Sequence, residues 1–538
     1  MSQDARWDEE QNTQRRAQIL NLPYIDTTQL PNRQLYMQFI PVPELYALRV
    51  VPISVDQNNV TFGITNTTSQ NTMQQLAQRF GDYRLSFALI SDTGFNDFMK
   101  LYDPPKEIKY EDIEIKPAEE GDGQIKDQVA IISSTLSQVR ADDMLAYLVK
   151  QAYRLKASDI HLETSKEKTR IRLRVDGVLH PIAELLPDKY RLLIGSIASA
   201  ANVSTVSESA QTGHIERMYR MADGSEVTVN LRVETVPTVH GQDAVLRLFN
   251  FRKEFLKLDM LGLNDQERNV VNDILQHPTG LVLIVGPTGS GKTTTLYSML
   301  NELNTLERKI ITLEDPVEYV IEGVTQIPVN SRSEKEGFAE KLRAVLRLDP
   351  DVIMVGEIRD LDTAKTALQS SLTGHLVLST YHANSAAAAL TRMLDAIGEN
   401  PLFINSIRLI TSQRLLRRLD DATKQAYEPD ENTKQFIHKT VDSLPGGVER
   451  PNLDNITLFK PGASEEFPYG FTGQFAVREF MQMNYDLQTI LRKPAHEITT
   501  AELEASAING GMTTLRQVAV LKALAGETTI DEVYRVVG

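Results

Sequence analysis

LVLIVGPTGSGKTTTLYSMLNEL, residues 281–303, changes character twice. Residues 281–285 are wholly apolar, the pattern of a strand buried on both faces. From Thr293 onward, apolar side chains recur at helical spacing. Between them GPTGSGKT, residues 286–293, fits GxxxxGK[ST]. A strand, a glycine-rich loop and a helix amino terminus together form the setting that a phosphate cradle requires, because backbone N–H groups and the positive end of the helix then face one anion. Gly286, Gly289 and Gly291 let the backbone approach without a side chain in the way. Lys292 is placed to reach the β- and γ-phosphates and the Thr293 hydroxyl to hold magnesium. Gly286, Pro287, Thr288, Gly289, Ser290, Gly291, Lys292, Thr293 and Thr294 are therefore the candidate ATP-binding residues. A glycine-rich turn with a solvated lysine is the plainer reading, and the strand and helix on either side count against it.

Three more apolar runs follow, each ending on polar chemistry: KIITLEDPVEY (309–319), DVIMVGEIRD (351–360) and HLVLSTYH (375–382). As parallel strands of one sheet covered by helices, they gather Glu314, Asp315, Glu318, Glu357, Arg359, Thr380 and His382 at the carboxyl edge, where open α/β sheets bind ligands. A single carboxylate after a strand is usually a helix cap. Such endings in succession, the first a phosphate loop, point to a common site. Phosphoryl transfer to water needs cations and a positioned water more than a strong nucleophile. Glu357, expected one strand over from the phosphate loop, is the candidate for polarising that water. Asp315 and Glu314 are candidates for orienting magnesium through its retained waters, with Glu318 a weaker one. His375 and His382 stand seven positions apart, an odd offset that sends side chains to opposite faces of an extended strand, so a shared metal ion is not expected.

With 538 residues the chain exceeds what one core supports. Residues 1–102 read as a small α+β amino-terminal domain, in which YALRVVPISVDQNNVTFGITN alternates like a hairpin. Residues 103–128 read as a flexible charged linker broken by prolines and glycines. A mixed middle domain spans 129–253, the α/β nucleotide-binding core 254–419, an insertion of charged, proline- and glycine-bearing sequence 420–469, and a mostly helical region 470–538. The net charge of −15 argues against a chain that coats DNA or an anionic bilayer. Zero cysteines exclude disulfides, thiolate zinc sites and a cysteine nucleophile. The acidic start MSQDARWDEE is unlike a signal peptide, and no apolar run approaches the roughly 18 residues of a membrane span. A cytoplasmic protein that reaches a membrane only through partners is expected.

The chain resembles the secretion ATPases of type II secretion and type IV pilus assembly over nearly its whole length. The resemblance rests on ASDIHLE (157–163), RLRVDGVL (172–179), LRVETVPTVHG (231–241), the phosphate loop, ITLEDPVEY, LRLDPDVIMVGEIRD, TGHLVLSTYHANSA, QRLLRRL (413–419), GFTGQFAVREFM (470–481) and GGMTTLRQ (510–517). LNLPYID (20–26) and LRVVPIS (48–54) are similar to the recruitment domain of these enzymes. The resemblance implies a RecA-like P-loop ATPase domain with a parallel-rich sheet, preceded by a PAS-like α+β middle domain. It makes Glu314, Asp315 and Glu318 an aspartate box, Glu357 the Walker B glutamate, and His375 and His382 a histidine box near the γ-phosphate. Arg232 and Arg247 match arginines that reach the phosphates when the middle domain closes. Without the resemblance, both read as solvated strand arginines.

For function, the resemblance implies an ATP- and Mg²⁺-dependent homohexameric motor. It would work on an inner-membrane platform protein, be tethered by its amino-terminal domain to a membrane-bound recruitment partner, and bind no nucleic acid. Pilus or pseudopilus assembly is favoured over retraction, since retraction motors lack so large an amino-terminal domain. A nucleotide-gated scaffold and a DNA translocase are the rival readings. Two departures stand out. The four-cysteine zinc module common after QRLLRRL is replaced by DDATKQAYEPDENTKQFIHK (420–439), leaving an insertion held by packing or mobile. The segments AQTGHI (210–215) and GQD (241–243) also lack arginines that other members carry.

Overall fold

The computed structural model describes residues 3–538 except 31–34, 38, 57, 103–121, 222–224, 250–255, 331–336 and 399–400. The chain divides into two compact units, Met1–Tyr110 and Glu111–Gly538. In the first, β1 (Val50–Val55) and β2 (Asn59–Ile64) pair antiparallel, as the alternation about DQNN predicts, and β3 (Arg84–Leu89) adds parallel to β2. Helices Gln70–Arg79 and Asp92–Tyr102 close a core of Val50, Phe62, Leu76, Phe95, Phe98 and Met99.

The second unit contains two large sheets. β4 (Asp159–Thr164), β5 (Thr169–Val175), β6 (Val178–Leu185), β7 (Gln211–Arg220), β8 (Glu226–Thr238) and β9 (Gly241–Leu248) form a six-stranded sheet in the order β6-β5-β4-β9-β8-β7, antiparallel throughout. Helices Ala141–Arg154 and Pro187–Ala201 bury Met144, Leu148, Leu193 and Ile197 and pack against β4 and β7. Strand alternation then fixes which side chains face away from that core. On β5, Ile171, Leu173 and Val175 are buried while Arg170, Arg172 and Arg174 take the other face; Arg232 on β8 and Arg247 on β9 share it. Most of the expected linker lies outside the described residues. Its carboxyl end is a correction, because helix Asp122–Gln138 already runs through 122–128 and buries Ile132 and Leu136.

β10 (Gly280–Val285), β11 (Ile310–Glu314), β12 (Thr325–Pro328), β13 (Val352–Val355), β14 (Leu376–Tyr381) and β15 (Ile407–Leu419) build the second sheet, together with an edge strand at 471–482. The order is β12-β11-β13-β14-β10-β15-edge, with every pair parallel except the last. All six residues of β10 are buried. Leu281, Leu283 and Val285 join one core with Ile353, Val377 and Ile410; Val282 and Ile284 join another with Tyr297, Leu300, Met354 and Leu378. Helices thus cover both faces, which is why the strands read as apolar runs. One expectation is corrected: β13 is not next to β10, because β14 pairs with both. An apolar run marks a buried strand but carries no information on which neighbour it takes.

The insertion is folded. β16 (Gln425–Tyr427) pairs with β17 (Leu458–Lys460), and helix Glu431–Asp442 starts at an Asp430 cap, whose carboxylate accepts from Thr433 N at 2.7 Å. Ile437, Val441, Ile456 and Leu458 pack on Leu416, Val477, Val520 and Val533, so apolar burial anchors this segment to the sheet and the terminal helices. The region from 470 onward is not all helical: β18 (Phe471–Gln482) is a 12-residue edge strand antiparallel to β15, followed by helices Thr500–Asn509, Leu515–Leu524 and Ile530–Val537. Among the described residues no helix is long and apolar enough to cross a membrane.

Glu532 ties this last region to β15. It is 1% exposed and accepts from Arg417 Nη2 at 2.6 Å and from Arg535 Nε and Nη2 at 2.7 Å. Burial pushes its carboxyl up, but the hydrogen bonds and charges of Arg535 and Arg417 outweigh burial and hold it down at about 2. Glu532→Ala leaves two partly buried guanidiniums without their anion and is expected to cost about 3–5 kcal/mol in denaturant melts at neutral pH. Because the folded value lies below the ordinary 4.5, the stabilisation is complete above that value and is lost as the pH falls from 4.5 toward 2. The gap between the parental and variant melts should therefore narrow over that interval.

Candidate active site

The phosphate loop leaves β10 at Val285 and enters helix Lys292–Leu303 at Gly291, whose φ of 82° lies in the left-handed region. Pro287, Thr288, Gly289 and Thr293 are exposed, whereas Ser290 is buried at 3%. Lys292 Nζ bridges the loop, donating to Gly286 O at 2.9 Å and Pro287 O at 2.8 Å. An ammonium has three donors, so one remains for a phosphate oxygen. Burial lowers the lysine's proton affinity, the Glu357 charge opposes that, and Arg414 adds to it. Exposed backbone around one lysine, with a helix amino terminus behind it, suits a polyphosphate; the exposed Thr293 hydroxyl at the same edge suits its magnesium ion.

Register shows what shares that edge. Val285 is paired with Tyr381, Ser379 with Val355, and Val355 with Leu313. The segments after β10, β14, β13 and β11 therefore emerge together: the phosphate loop, His382, Glu357 and Asp315. Glu357 is partly exposed, in contact with Arg359 and 3.4 Å from His382 Nε2. Its hydrogen bond to Glu357 raises the pKa of Arg359, burial opposes that, and the charges of Glu357 and Asp315 add to the rise. Thr380 Oγ1 donates to Gly356 O at 2.7 Å and Ile358 N to Thr380 O at 3.0 Å, fixing the peptides on either side of Glu357.

Two expected site residues are placed otherwise. Glu314 is 3% exposed, and its carboxylate accepts from Tyr297 Oη, from Thr312 Oγ1 at 2.5 Å and from Gln326 Nε2 at 2.9 Å. A carboxylate so enclosed anchors β11 to the helix after the phosphate loop and is not open to metal-bound water. His375 sits at the amino end of β14, where its Nδ1 lies 3.0 Å from Ser370 O and its carbonyl accepts from Gly280 N. About 23 Å of extended chain separates it from His382, since each strand residue advances about 3.3 Å. Only His382 is at the phosphate edge.

Arg232 and Arg247 are directly opposite each other on β8 and β9. Arg247 Nε donates to Asp159 Oδ1 at 3.0 Å, and Arg232 Nε lies 3.2 Å from Glu234 Oε1. Glu318, in the loop after β11, lies within range of both charges. Burial raises the Glu318 pKa, and the charges of Arg232 and Arg247 pull it back. The charges of Arg232 and Arg247 on the six-stranded sheet are thus felt at Glu318, in the segment that follows β11.

The sequence alone assigns no role to β15, which runs along the other side of the phosphate loop. Gln413 is 1% exposed: its Nε2 donates to Ser290 O at 2.6 Å, and its Oε1 accepts from Thr295 Oγ1 at 2.8 Å and Arg478 Nε at 2.9 Å. Arg414 donates to Gln413 O at 3.0 Å and Asn384 O at 2.9 Å. A Cβ at Gly286 would lie 2.6 Å from Gln413 O, and one at Gly291 2.7 Å from Gln413 Nε2. These glycines therefore admit β15 as well as phosphate. The one signal was QRLLRRL itself, a polar start to a strand that must lie beside the loop.

Residues 137–535 match the family described as type II/IV secretion system protein, and residues 20–107 match the MshEN domain. Type II secretion system protein E of Xanthomonas campestris is 39% identical over 420 residues, 78% of this chain and 71% of that one. Type II secretion system ATPase E of Vibrio cholerae is 37% identical over 396 residues, 73% of this chain and 74% of that one. Among solved structures, the Legionella pneumophila ATPase DotB is similar with a TM-score of 0.53 over 73% of this chain and 94% of that one; at 22% identity this likeness concerns the fold alone.

Proposed function

Since this chain belongs to the type II/IV secretion system protein family, we propose that it is an ATP hydrolase whose turnover drives a pilus or type II secretion pseudopilus machine. The observation that carries the reading is the convergence of Lys292, Thr293, Asp315, Glu357 and His382 at the carboxyl edge of adjoining parallel strands. The loop amides and Lys292 hold the triphosphate. Glu357 accepts a hydrogen bond from water, which attacks the γ-phosphorus as the bond to the β–γ bridging oxygen breaks. His382 and Arg359 hold the Glu357 carboxylate in place. Thr293 and, through water, Asp315 would hold a magnesium ion, which would supply charge neutralisation at the phosphates.

The finer reading is a homohexamer assembling a filament from a platform protein at the inner membrane. Its amino-terminal unit, which matches the MshEN domain, serves as the tether to a membrane-bound partner. The acidic balance of the chain supports a protein partner over nucleic acid. The test is phosphate release from Mg·ATP by the purified full chain, alone and with DNA. Binding without release identifies a gated scaffold, and stimulation by DNA identifies a translocase. Lys292→Ala removes a charge-assisted contact to the phosphates and is expected to weaken ATP affinity about 10- to 100-fold, read by calorimetry.

A further inference from the structure

Gln413, held by Arg478, is a positioning residue that sets the phosphate loop: we infer that it turns the Ser290–Gly291 peptide so that the Gly291 N–H faces the nucleotide. The inference rests on the ATP-binding reading above. The Gln413 amide has one consistent orientation. Arg478 Nε and Thr295 Oγ1 both supply protons to one end of it, so that end is the carbonyl and the NH₂ is left for Ser290 O. Reversing the amide would set a carbonyl against a carbonyl and NH₂ against a guanidinium. In a planar trans peptide, C=O and N–H point opposite ways. Drawing Ser290 O back 2.6 Å from buried Gln413 Nε2 therefore aims Gly291 N–H outward, at the start of helix Lys292–Leu303.

The anchor behind Gln413 is equally fixed. Arg478 on β18 is its direct cross-strand partner, 3% exposed, with Nε donating to Gln413 Oε1 at 2.9 Å. The next residue, Glu479, is also 3% exposed and accepts from the first N–H groups of two helices, Ala386 N at 2.5 Å and Leu515 N at 3.3 Å. Helix Ala386–Ile397 begins just after His382. One pair of adjacent residues on the edge strand thus holds the phosphate loop through Gln413 and the helix behind the histidine through Glu479. Glycine suits position 291, because a Cβ there would lie 2.7 Å from Gln413 Nε2 and the φ of 82° is strained for any other side chain.

Gln413→Glu separates positioning from folding. A carboxylate still accepts from Arg478 and Thr295, more strongly than an amide, but cannot donate to Ser290 O. Thr295→Val does the reverse: it removes one donor to Oε1 and leaves the contact to Ser290. Full-length proteins are compared by calorimetric Mg·ADP titration, thermal melts and steady-state ATP hydrolysis. Gln413→Glu is expected to melt at or above the parental temperature, to bind ADP about tenfold or more weakly, and to raise KM by more than it lowers kcat, because the amide contacts phosphate in ground and transition states alike. Thr295→Val is expected to keep the parental affinity within about threefold. Parental affinity and KM in Gln413→Glu, or an equal loss in Thr295→Val, overturns the inference. If Gln413→Glu melts below the assay temperature, Gln413→Met, which cannot donate either, supplies the same readout. A parental protein that binds no ADP overturns the ATP-binding reading instead.

Discussion

Glu357→Gln protein is expected to bind ATP with the parental affinity and to release phosphate about 10³-fold more slowly, within the range by which a positioned base accelerates proton transfer. The isosteric amide keeps the volume and one acceptor oxygen, so Gly356 and Ile358 hold their places through Thr380. What changes is basicity. The carboxylate is partly exposed at the phosphate edge and flanked by Arg359 and His382, which stabilise its charge without enclosing it as Tyr297, Thr312 and Gln326 enclose Glu314. Glu314→Gln is the informative contrast: its defect belongs to stability, read as a lowered melting temperature. Calorimetric ATP titration with single-turnover phosphate release separates binding from chemistry. Parental turnover in Glu357→Gln sinks the assignment of the water-polarising group.

The contrast between Glu357 and Glu314 also shows how much the sequence could disclose. Each is an acid near the end of an apolar run, and pattern alone gave both to the site. What separates them is the surroundings: Glu314 is the last residue of β11 and points among Tyr297 and Gln326, from segments distant in sequence, whereas Glu357 follows Gly356 past the end of β13. Strand direction was legible because wholly apolar runs alternating with helical patterns fit a parallel sheet covered on both faces. Strand order was not, since β14 meets β13 on one side and β10 on the other with side chains equally apolar. His375 was misplaced for a related reason: a motif marks residues as neighbours in sequence, and seven residues of strand carry the second one across the whole sheet. Gln413 and Arg478 were invisible because a buried polar pair is defined by register between two strands, Gln413 opposite Arg478. The insertion's core likewise depends on Leu416 and Val477 meeting Ile437 and Val520, which no local pattern announces.

Arg232→Ala and Arg247→Ala are each expected to lower turnover by about 10³ or more, toward the 10³–10⁵ range of an arginine that meets transition-state charge, and to weaken ATP binding by a smaller factor. The two are paired across β8 and β9 on the face of the middle sheet that its helices leave uncovered, and both act on Glu318. In this arrangement Arg247 is held by Asp159 and Arg232 lies against Glu234. The Arg247 side chain is 55% exposed while that of its partner Asp159 is 8% exposed; Arg174 Nε, 3.5 Å from Asp159 Oδ2, keeps a guanidinium beside the buried carboxylate when Arg247 leaves, and the roughly 4–7 kcal/mol that a rate factor of 10³–10⁵ represents is available to offset the rest. A nucleotide shifts an equilibrium between open and closed arrangements only through contacts it makes better in one of them, and two arginines one loop away from the phosphate edge are suited to make that difference. On the proposed reading, motion of the middle sheet toward β11 would exchange carboxylate partners for phosphate, and hydrolysis would reverse the exchange. Arg247→Lys tests geometry apart from charge, because a point ammonium cannot reproduce the planar fork; it is expected to recover only a small part of the loss. If both alanine variants hydrolyse ATP at the parental rate, the middle domain does not complete the site and the stroke must originate elsewhere.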